Sequence, residues 1–387
     1  MMSRIPLDNV CDKKIETLSS HYDGKIEYID ISSIDNIEKT ILNTQLIDSK
    51  EAPSRAKQLV KKGDILVSTV RPNLNAVAVV EKESAHVLVA STGYCVLRCN
   101  TAVNNRYVFH FCQSPYFIED MVRQATGASY PAVSNSIVKS CLIPSRDLKE
   151  QSHIATILDR VSNLIALRKQ QLDKMDELVK ARFVEMFGDP IMNPKGWTLV
   201  PLLEMGDCKN GMNFHNGDFG IELHCLGVGD FKNLSAIHDT SRLSKVSLNE
   251  MPNKDYILKN GDIVFVRSNG NRALVGRCLA IYPEDTLTTF SGFCIRYRRH
   301  STKVQTEYLL QVLKSDSIRK KMAGRGANIQ NLNQQILASL DIPIPPQELQ
   351  LQFTLFIEQI EKCKLTIQQG LDKLEMMKKA LVQEYFG

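Results

Sequence analysis

Two polar loops carry side chains that suit contact with nucleic acid, and each loop follows an apolar run that predicts a strand. The first lies in "STVRPNLN" and the second in "VRSNGNR". Arginine pairs with the edge of guanine and asparagine with the edge of adenine, and both also bind phosphate. The candidates are Arg71, Asn73 and Asn75 in the first loop, and Arg267, Ser268, Asn269, Asn271 and Arg272 in the second. For the asparagines the alternative is turn formation, because turns need Asn, Gly and Pro in any case.

A second pair of segments is rich in small residues, hydroxyls, amides and cations, which suit close approach to a phosphate backbone. These segments are "RQATGASYPAVSNS" and "RKKMAGRGANIQNLN". The candidates for DNA contact are Arg123, Ser129 and Tyr130, and then Lys321, Arg325, Asn328 and Gln330. For Ser134, Asn135, Asn331 and Asn333 we favour the capping of short helices, since the apolar triplets "SIV" and "QIL" follow directly.

The sequence indicates no catalytic or metal site. It contains no G-x-x-x-x-G-K-[ST] phosphate loop, no G-x-G-x-x-G after a strand, and no Asn/Asp-Pro-Pro-aromatic tetrad of the amino-methyltransferase kind. One stretch holds Cys208, His215, His224 and Cys225, but the spacing matches no common zinc pattern. The ten cysteines form no C-x-x-C pair, which is typical of small core residues in a reducing compartment.

Composition places the chain among ordinary globular proteins. It is 43% hydrophobic and 24% charged, and no apolar run reaches the roughly 18 residues that a membrane span needs. The N-terminus lacks the layout of a secretory signal, so we expect a cytoplasmic protein with no membrane partner. A net charge of +5 permits nucleic-acid binding without requiring it.

The chain contains a long internal repeat. With an offset of 199, residues 137–188 align with residues 336–387 without a gap, and 14 of 52 positions are identical. Ordinary composition would give roughly three identities, so the repeat is real. It continues upstream with small gaps, where "KKGDILVSTVRPN" matches "KNGDIVFVRSNGN" and "STGYCVLR" matches "FSGFCIRY".

The repeat predicts two equivalent domains, each followed by one long helix. The expected boundaries are 1–146 for the first domain, 147–189 for a central helix, 190–345 for the second domain and 346–387 for a C-terminal helix. Short apolar runs such as "DILVSTV" and "NAVAVV" predict strands between turn residues. A helix is expected around "RYVFHFCQSPYFIEDMVRQA", with Ser114 and Pro115 as a cap and first-turn pair at a break within it. The fold class is therefore α/β, of the α+β kind.

Apolar residues at spacings of three and four run through both predicted helices of about 40 residues, which is typical of helix pairing. The predicted pairing positions are Ile154, Ile157, Val161, Leu164, Leu172 and Met175, and then Phe353, Phe356, Ile360, Leu371 and Leu374. Each helix would be roughly 60 Å long. We expect the two helices to pair as an antiparallel coiled-coil spacer with pseudo-two-fold symmetry.

This layout resembles the DNA-specificity subunit of type I restriction-modification systems. The matching phrases are "GDILVSTVRPN" and "GDIVFVRSNGN", "TGASYPAVSNSIVKSCLIP" and "GRGANIQNLNQQILASLDIPIPP", and the "KEQSHIATILD" helix start with its partner. The resemblance covers essentially the whole chain, including the tandem order of the two halves.

The resemblance implies a non-catalytic subunit with two target-recognition domains. Each would read half of a split site in double-stranded DNA, and the paired helices would set the gap between the halves. Two methyltransferase subunits, and through them two motor-nuclease restriction subunits, would complete the complex. S-adenosylmethionine, ATP and Mg²⁺ would serve those partner subunits, and this chain would hold no cofactor itself.

Three alternatives remain open from the residues. A coiled-coil scaffold would bind proteins but show no salt-sensitive affinity for DNA. A fused nuclease or methyltransferase with a divergent site would be active as an isolated chain. A specificity subunit of a methylation-only system would keep the same fold and lack a nuclease partner.

Overall fold

The computed structural model describes residues 3–214, 217, 219–231, 235–323 and 331–387. The chain divides into two compact units. Unit 1 comprises Met1–Gln171 and Ile367–Gly387, and unit 2 comprises Leu172–Thr366. Each unit therefore contains one α/β domain and parts of both long helices.

Among its described residues unit 1 is built from short strands, three short helices, the first part of one long helix and the end of the C-terminal long helix. The strands are β1 (Arg4–Pro6), β2 (Lys25–Ile29), β3 (Ile34–Asp35), β4 (Thr40–Ile41), β5 (Gln45–Asp48), β6 (Ala56–Leu59), β7 (Ile65–Ser68), β8 (Val77–Val79), β9 (Val87–Ser91), β10 (Tyr94–Leu97) and β11 (Leu142–Pro144). The helices are α1 (Asn105–Phe111), α2 (Pro115–Gln124), α3 (Asn135–Ser140) and α4 (Leu148–Phe187), whose residues after Gln171 belong to unit 2.

Two sheets form the centre of unit 1. One has the antiparallel order β10-β7-β8, and the other has the order β5-β2-β9-β6 with β2 parallel to β9. All four residues of β7 are buried because both faces of this strand are covered. Ile65 and Val67 pack with the helices, and Leu66 packs against the second sheet. The three-stranded sheet is therefore a central layer.

Unit 2 repeats this plan with a larger central sheet. Its strands are β12 (Thr198–Pro201), β13 (Gly206–Asn210), β14 (Ile221–Leu226), β15 (Ala236–Ile237), β16 (Lys245–Leu248), β17 (Asp262–Val266), β18 (Cys278–Ile281), β19 (Thr288–Phe290), β20 (Cys294–Arg299) and β21 (Asp341–Ile344). Its helices are α5 (Thr306–Lys314), α6 (Asp316–Ala323), α7 (Gln334–Ala338) and α8 (Gln347–Phe386), whose residues after Thr366 belong to unit 1. The sheets have the orders β13-β20-β17-β18-β15 and β16-β14-β19.

The fold prediction of two mixed α/β domains, each followed by a long helix, is confirmed. Both α4 and α8 have 40 residues. The predicted break in the first domain lies between α1 and α2, where the Ser114 hydroxyl accepts a hydrogen bond from the backbone N–H of Phe117 at 3.2 Å and Pro115 opens α2. No helix in the described ranges is long and apolar enough to cross a membrane.

Within unit 2 the segments of α4 and α8 run antiparallel. The Phe187 ring lies 5.5 Å from the Phe353 ring, and the Lys364 ammonium contacts the Asp176 carboxylate at 2.6 Å. The residue of α4 that lies nearer its start, Asp176, therefore contacts the residue of α8 that lies nearer its end, Lys364. Phe187 also lies 4.8 Å from the Tyr308 ring, so the end of α4 completes the core of the second domain.

Unit 1 has the corresponding arrangement at the end of α8. The Phe386 ring lies 5.1 Å from the Tyr107 ring and 5.8 Å from the Phe111 ring, and Val382 lies in the same core. Ile154 of α4 belongs to this core as well. The "FG" ending of each repeat therefore supplies a phenylalanine to the core of the other domain: Phe187 to the second domain and Phe386 to the first.

The observed burial along α4 differs from the predicted pairing positions at Leu164. Leu164 is 47% exposed, whereas Ile165 is 8% exposed. The buried series runs through Ile154, Leu158, Val161 and Ile165, again at spacings of three and four. Apolar doublets at residues 157–158 and 164–165 permit either frame, so the spacing alone could not choose between them.

Candidate nucleic-acid interface

The loop after β7 has an unusual backbone. Arg71 and Asn75 have φ values of 50° and 47°, in the left-handed region, and they flank the 3₁₀ turn Pro72–Leu74. Asn tolerates this conformation, whereas arginine adopts it at a cost. The turn leaves Arg71 and Asn73 exposed after a fully buried strand.

Backbone hydrogen bonds join this loop to the second predicted segment. The N–H of Arg71 donates to the carbonyl of Pro131 at 2.7 Å, and the N–H of Val133 donates to the carbonyl of Thr69 at 2.9 Å. Thr126 and Ala132 exchange two further hydrogen bonds, which closes the second segment into a small hairpin. The two segments that the sequence singles out in the first domain therefore form one surface.

The Arg71 guanidinium and the Tyr130 ring stack at the centre of this surface. The guanidinium carbon lies 4.8 Å from the ring centroid, and Tyr130 is 68% exposed. Stacking orders the arginine side chain without consuming its hydrogen-bond donors. A cation and an aromatic face presented together suit phosphate contact, base-edge contact and base stacking.

The other residues predicted to contact DNA in the first domain differ in how far they are exposed. Ser129 is exposed, and Arg123 is exposed beside Asp120, with which it pairs on α2. Asn75 is buried, and its side-chain amide donates to the carbonyl of Cys112 at 2.8 Å. An amide held in this way is not free to reach a base edge, so we leave Asn75 out of the interface proposed below.

The second domain has an equivalent loop with different side chains. The N–H of Arg267 donates to the carbonyl of Phe293 at 2.8 Å, and the N–H of Leu332 donates to the carbonyl of Arg267 at 2.9 Å. Thr69 makes the same pair of bonds in the first domain, where its partners are Gly93 and Val133. Arg267 therefore corresponds to Thr69, and Arg71 and Arg267 occupy different positions of related loops.

The asparagines of the second loop serve local backbone structure. The Asn269 side chain accepts from the N–H of Asn271 at 2.7 Å, and the Asn271 side chain accepts from the N–H of Ala273 at 3.1 Å. This is the turn chemistry named as the alternative above. Ser268 is half-buried, and Arg272 is exposed.

The last group of predicted contacts is only partly described. Lys321 is exposed and lies 3.7 Å from the Asp341 carboxylate. Arg325, Asn328 and Gln330 lie outside the described residues. The expected caps are confirmed at Ser134, which accepts from the N–H of Ile137 at 3.3 Å, and at Asn333, which accepts from the N–H of Ile336 at 2.9 Å.

A buried ion pair supports the loop-bearing strand in both domains. The Arg98 guanidinium contacts the Asp64 carboxylate through two nitrogens at 2.7 and 2.9 Å. Arg298 contacts Asp262 in the same way at 2.7 and 2.8 Å. Each aspartate also accepts a backbone N–H from three residues earlier, so the strand start is held identically in the two domains.

The two ion pairs, Asp64–Arg98 and Asp262–Arg298, reveal a one-residue insertion that the alignment of similar sequence phrases missed. Matching "STGYCVLR" to "FSGFCIRY" sets Arg98 against Tyr297, whereas the ion pairs and the strand registers set it against Arg298. A shift of one residue moves side chains to the opposite face of a strand. Accordingly Tyr94 is buried, while Phe293 is 59% exposed beside the second loop.

A buried glutamine fixes the start of each long helix. The Gln151 side chain accepts from the N–H of Asn104 at 2.8 Å and donates to the carbonyl of Arg146 at 2.8 Å. The Gln350 side chain accepts from the N–H of Gln305 at 2.8 Å and donates to the carbonyls of Lys303 and Pro345. Both are buried polar groups whose hydrogen bonds are made inside the unit, which explains their repetition.

The structure also shows a cationic cleft that the sequence did not single out. It has a volume of about 710 Å³ in unit 1, and Lys13, Lys14, Asn135 and Ser136 line it. Asn135 and Ser136 lie shortly after the Thr126–Ala132 hairpin that carries Tyr130. Among the residues that the structure describes, no group of three or more His, Cys, Asp or Glu side chains could hold a metal ion, and His215 is outside them.

Comparison with solved structures identifies the fold. A chain from a study of the structural basis of complex assembly and conformational transition of the type I R-M system has a TM-score of 0.60 and 23% identity, with coverage of 99% of this chain and 97% of that one. The type I restriction-modification S subunit from M. genitalium has a TM-score of 0.57 and 14% identity, with coverage of 100% and 96%. At these identities the likeness concerns the fold.

Sequence comparison identifies the family. The specificity subunit of the type I restriction enzyme StySPI from Salmonella potsdam is 22% identical over 352 residues, which is 86% of this chain and 75% of the relative. The MjaVIII specificity subunit from Methanocaldococcus jannaschii is 24% identical over 320 residues, or 76% and 72%. The model of the type I restriction modification DNA specificity domain matches residues 6–177 and 194–376. The chain therefore belongs to the family of type I restriction-modification specificity subunits, the DNA-binding, non-catalytic part of the complex.

Proposed function

We propose that this subunit reads a bipartite and asymmetric DNA site, with one half-site contacted by each domain. One observation carries the proposal. Both domains hold a loop after a buried strand by the same two backbone hydrogen bonds, yet the loops present different side chains. A shared scaffold with different contact residues is what two different half-sites would require.

The proposed contacts in the first domain are Arg71, Asn73, Ser129 and Tyr130, with Arg123 at the edge. Those in the second domain are Arg267, Ser268 and Arg272, with Lys321, Arg325, Asn328 and Gln330 from the second segment. Arg71 and Tyr130 are the strongest pair because they are exposed, stack on each other and lie next to a fully buried strand. Asn269 and Asn271 contribute by shaping the loop.

The long helices suit the role of a spacer between the two half-sites. A helix of 40 residues is about 60 Å long, which exceeds the 34–36 Å or so of one duplex turn. Two major-groove segments about one turn apart are within that length. We therefore expect a central gap of several base pairs that no side chain reads.

The subunit is further proposed to recruit two methyltransferase subunits and, through them, two motor-nuclease subunits. The complex would methylate adenine with S-adenosylmethionine, or cleave unmodified DNA with ATP and Mg²⁺. Those reagents would be bound by the partner subunits. The part of this chain would be to select the site and hold the partners on it.

The test is modified-base sequencing of DNA from cells that express this chain with its cognate methyltransferase subunit, against cells that lack this chain. We expect a gapped, asymmetric motif with methyladenine on both strands, absent from the control cells. A perfect palindrome would refute the claim of two different half-sites. A folded complex that methylates no motif would favour the scaffold alternative.

A further inference from the structure

A lysine outside the proposed interface holds the first reading loop in place. Lys39 is the last residue of the turn between β3 and β4. Its ammonium donates to the side-chain oxygen of Asn75 at 2.9 Å and to the backbone carbonyl of the same residue. Asn75 in turn donates to the carbonyl of Cys112. The asparagine that closes the loop is thus held from two sides.

The hairpin that carries Lys39 is itself ordered by hydrogen bonds. The N–H of Lys39 donates to the carbonyl of Asp35 at 2.9 Å, and the Asp35 carboxylate accepts from the N–H groups of Ile37 and Glu38 at 2.7 and 3.0 Å. Glu38 contacts Lys169 of α4 at 2.7 Å. The backbone of Lys39 is therefore held in place by hydrogen bonds within the turn.

The loop needs such support because its backbone is costly. Arg71 and Asn75 are both left-handed, a conformation that asparagine tolerates but that is unfavourable for arginine. The strain at Arg71 persists only where neighbouring groups impose the conformation. The carbonyl of Pro131 constrains one end of the turn, and the contacts of Asn75 constrain the other.

We infer that Lys39 is a positioning residue for DNA recognition by the first domain: by holding Asn75 it fixes the turn that presents Arg71. This inference rests on the proposed function of the loop. It assigns Lys39 no contact with DNA. It also confines the effect to one half-site, because the loop of the second domain is shaped by its own Asn269 and Asn271.

The charges around Lys39 give this role a pH dependence. Lys378 of α8 and Asp35 of the hairpin face it, and Lys169 of α4 and Glu38 lie next to Lys378. Burial, and then the charge of Lys378, lower the pKa of Lys39 to about 8. The charge-assisted hydrogen bonds to Asn75 are therefore present below pH 8 and weaken as the pH rises through that value.

The test uses the complex of this chain with its methyltransferase subunits and a duplex that carries the motif found by modified-base sequencing. Affinity is measured by fluorescence anisotropy from pH 6.5 to 9.5 at constant ionic strength, with a second duplex in which the half-site of the first domain is scrambled. The variants are Lys39→Met, Lys39→Arg and Arg71→Ala. The control is Lys62→Met, which removes an exposed lysine of the same unit.

At pH 7 we expect Lys39→Met to bind the intact site about tenfold more weakly, within the range for losing one specific contact. The wild-type complex should lose affinity between pH 7 and 9, whereas Lys39→Arg should bind well at pH 7 and keep its affinity at pH 9, because arginine stays charged. Lys62→Met should follow the wild-type profile. All differences should vanish on the scrambled duplex.

The outcomes separate this inference from the proposed function. If Arg71→Ala binds like the wild type, the loop does not read DNA and the proposed function of the loop fails. If Arg71→Ala weakens binding while Lys39→Met keeps the wild-type affinity and pH profile, the positioning role of Lys39 is overturned. If Lys39→Met weakens binding to both duplexes equally, the lysine acts on the fold and the inference is likewise overturned.

Discussion

The two domains agree in the contacts that hold the backbone and differ in the residues that the loops present. Both have an ion pair that ties the start of the loop-bearing strand to the end of the strand hydrogen-bonded to it, β10 or β20, through Asp64 with Arg98 and Asp262 with Arg298. Both bury a glutamine at the start of a long helix, and both use a tyrosine hydroxyl to bond the proline carbonyl of the last strand, at 3.0 and 2.7 Å. These groups explain why the repeat remains visible in the sequence.

The differences are concentrated at the sheet edge and in the loops. In unit 2, β13 pairs with β20 along five residues. In unit 1 the corresponding segment makes only isolated bridges among the described residues. Cys11 pairs with Cys99, just after β10, and Thr17 pairs with Gln58 of β6. The loop after β7 carries a left-handed arginine, and the loop after β17 carries asparagine turns. The supporting contacts are thus the same in the two domains, whereas the candidate interface differs.

The largest expected effect comes from removing the phenylalanine at the end of either long helix. Phe386→Ala and Phe187→Ala should each cost about 3–5 kcal/mol, because each deletes a buried ring from a packed core. Hydrogen exchange followed by mass spectrometry should show faster exchange in unit 1 for the first variant and in unit 2 for the second. Met376→Ala, at a 65% exposed position of α8, is the control. Equal loosening of both units by either variant would contradict the assignment of one ring to each core.

A smaller effect should distinguish unit 1 at acidic pH. Burial raises the pKa of the Asp159 carboxyl, but hydrogen bonds from His110 and Arg106 outweigh burial and bring the pKa to about 2, below the ordinary 3.8. Solvent screens this partly exposed carboxyl, so the stabilisation is about 1–2 kcal/mol; it is present above pH 3.8 and is lost as the pH falls towards 2. Asp159→Asn should therefore destabilise unit 1 at pH 7 and reduce the loss of stability between pH 4 and 2.

The repeat supplies a matched control for Asp159 in Glu358, which is exposed on α8. Glu358→Gln should change stability by less than about 0.5 kcal/mol. Chemical denaturation at pH 7, 4 and 2 measures both variants. Identical behaviour of the two variants would show that the Arg106–Asp159–His110 cluster does not distinguish the units.

The smallest effect concerns the helix caps near the ends of the second pair of segments. Ser134→Ala and Asn333→Ala should each cost about 1 kcal/mol, since each leaves a helix N–H without its acceptor. Thermal unfolding measures the loss, with Asn135→Ala as a neighbouring exposed control. A gain in stability for either cap variant would contradict the capping assignment.

Much of the fold could be predicted because it depends on features that repeat. The alignment of residues 137–188 with 336–387 predicted the helices, and Ser114–Pro115 predicted the break between α1 and α2. The frame of α4 could not be chosen, because adjacent apolar residues such as Leu164 and Ile165 satisfy the same spacing. Packing in the folded unit decides between them.

Residue types predicted which side chains could contact DNA, but not which of them are exposed or close together. Arg71 and Tyr130 lie 59 residues apart in the sequence, and backbone hydrogen bonds at Thr69 and Pro131 bring them together. Asn75 looked like Asn73 in the sequence, yet one is buried and the other exposed. The insertion that shifts Arg298 by one residue is visible in its ion pair with Asp262 and in the strand registers, and not in the matched phrases.

The central claim is that each domain reads its own half of the site. The most direct measurement is modified-base sequencing of cells in which the specificity subunit carries either Arg71→Ala with Tyr130→Ala, or Arg267→Ala with Arg272→Ala. We predict that the first variant relaxes or abolishes selection in one half of the motif, and the second does so in the other half only. Relaxation of the same half by both variants, or an unchanged motif in both, would contradict the account.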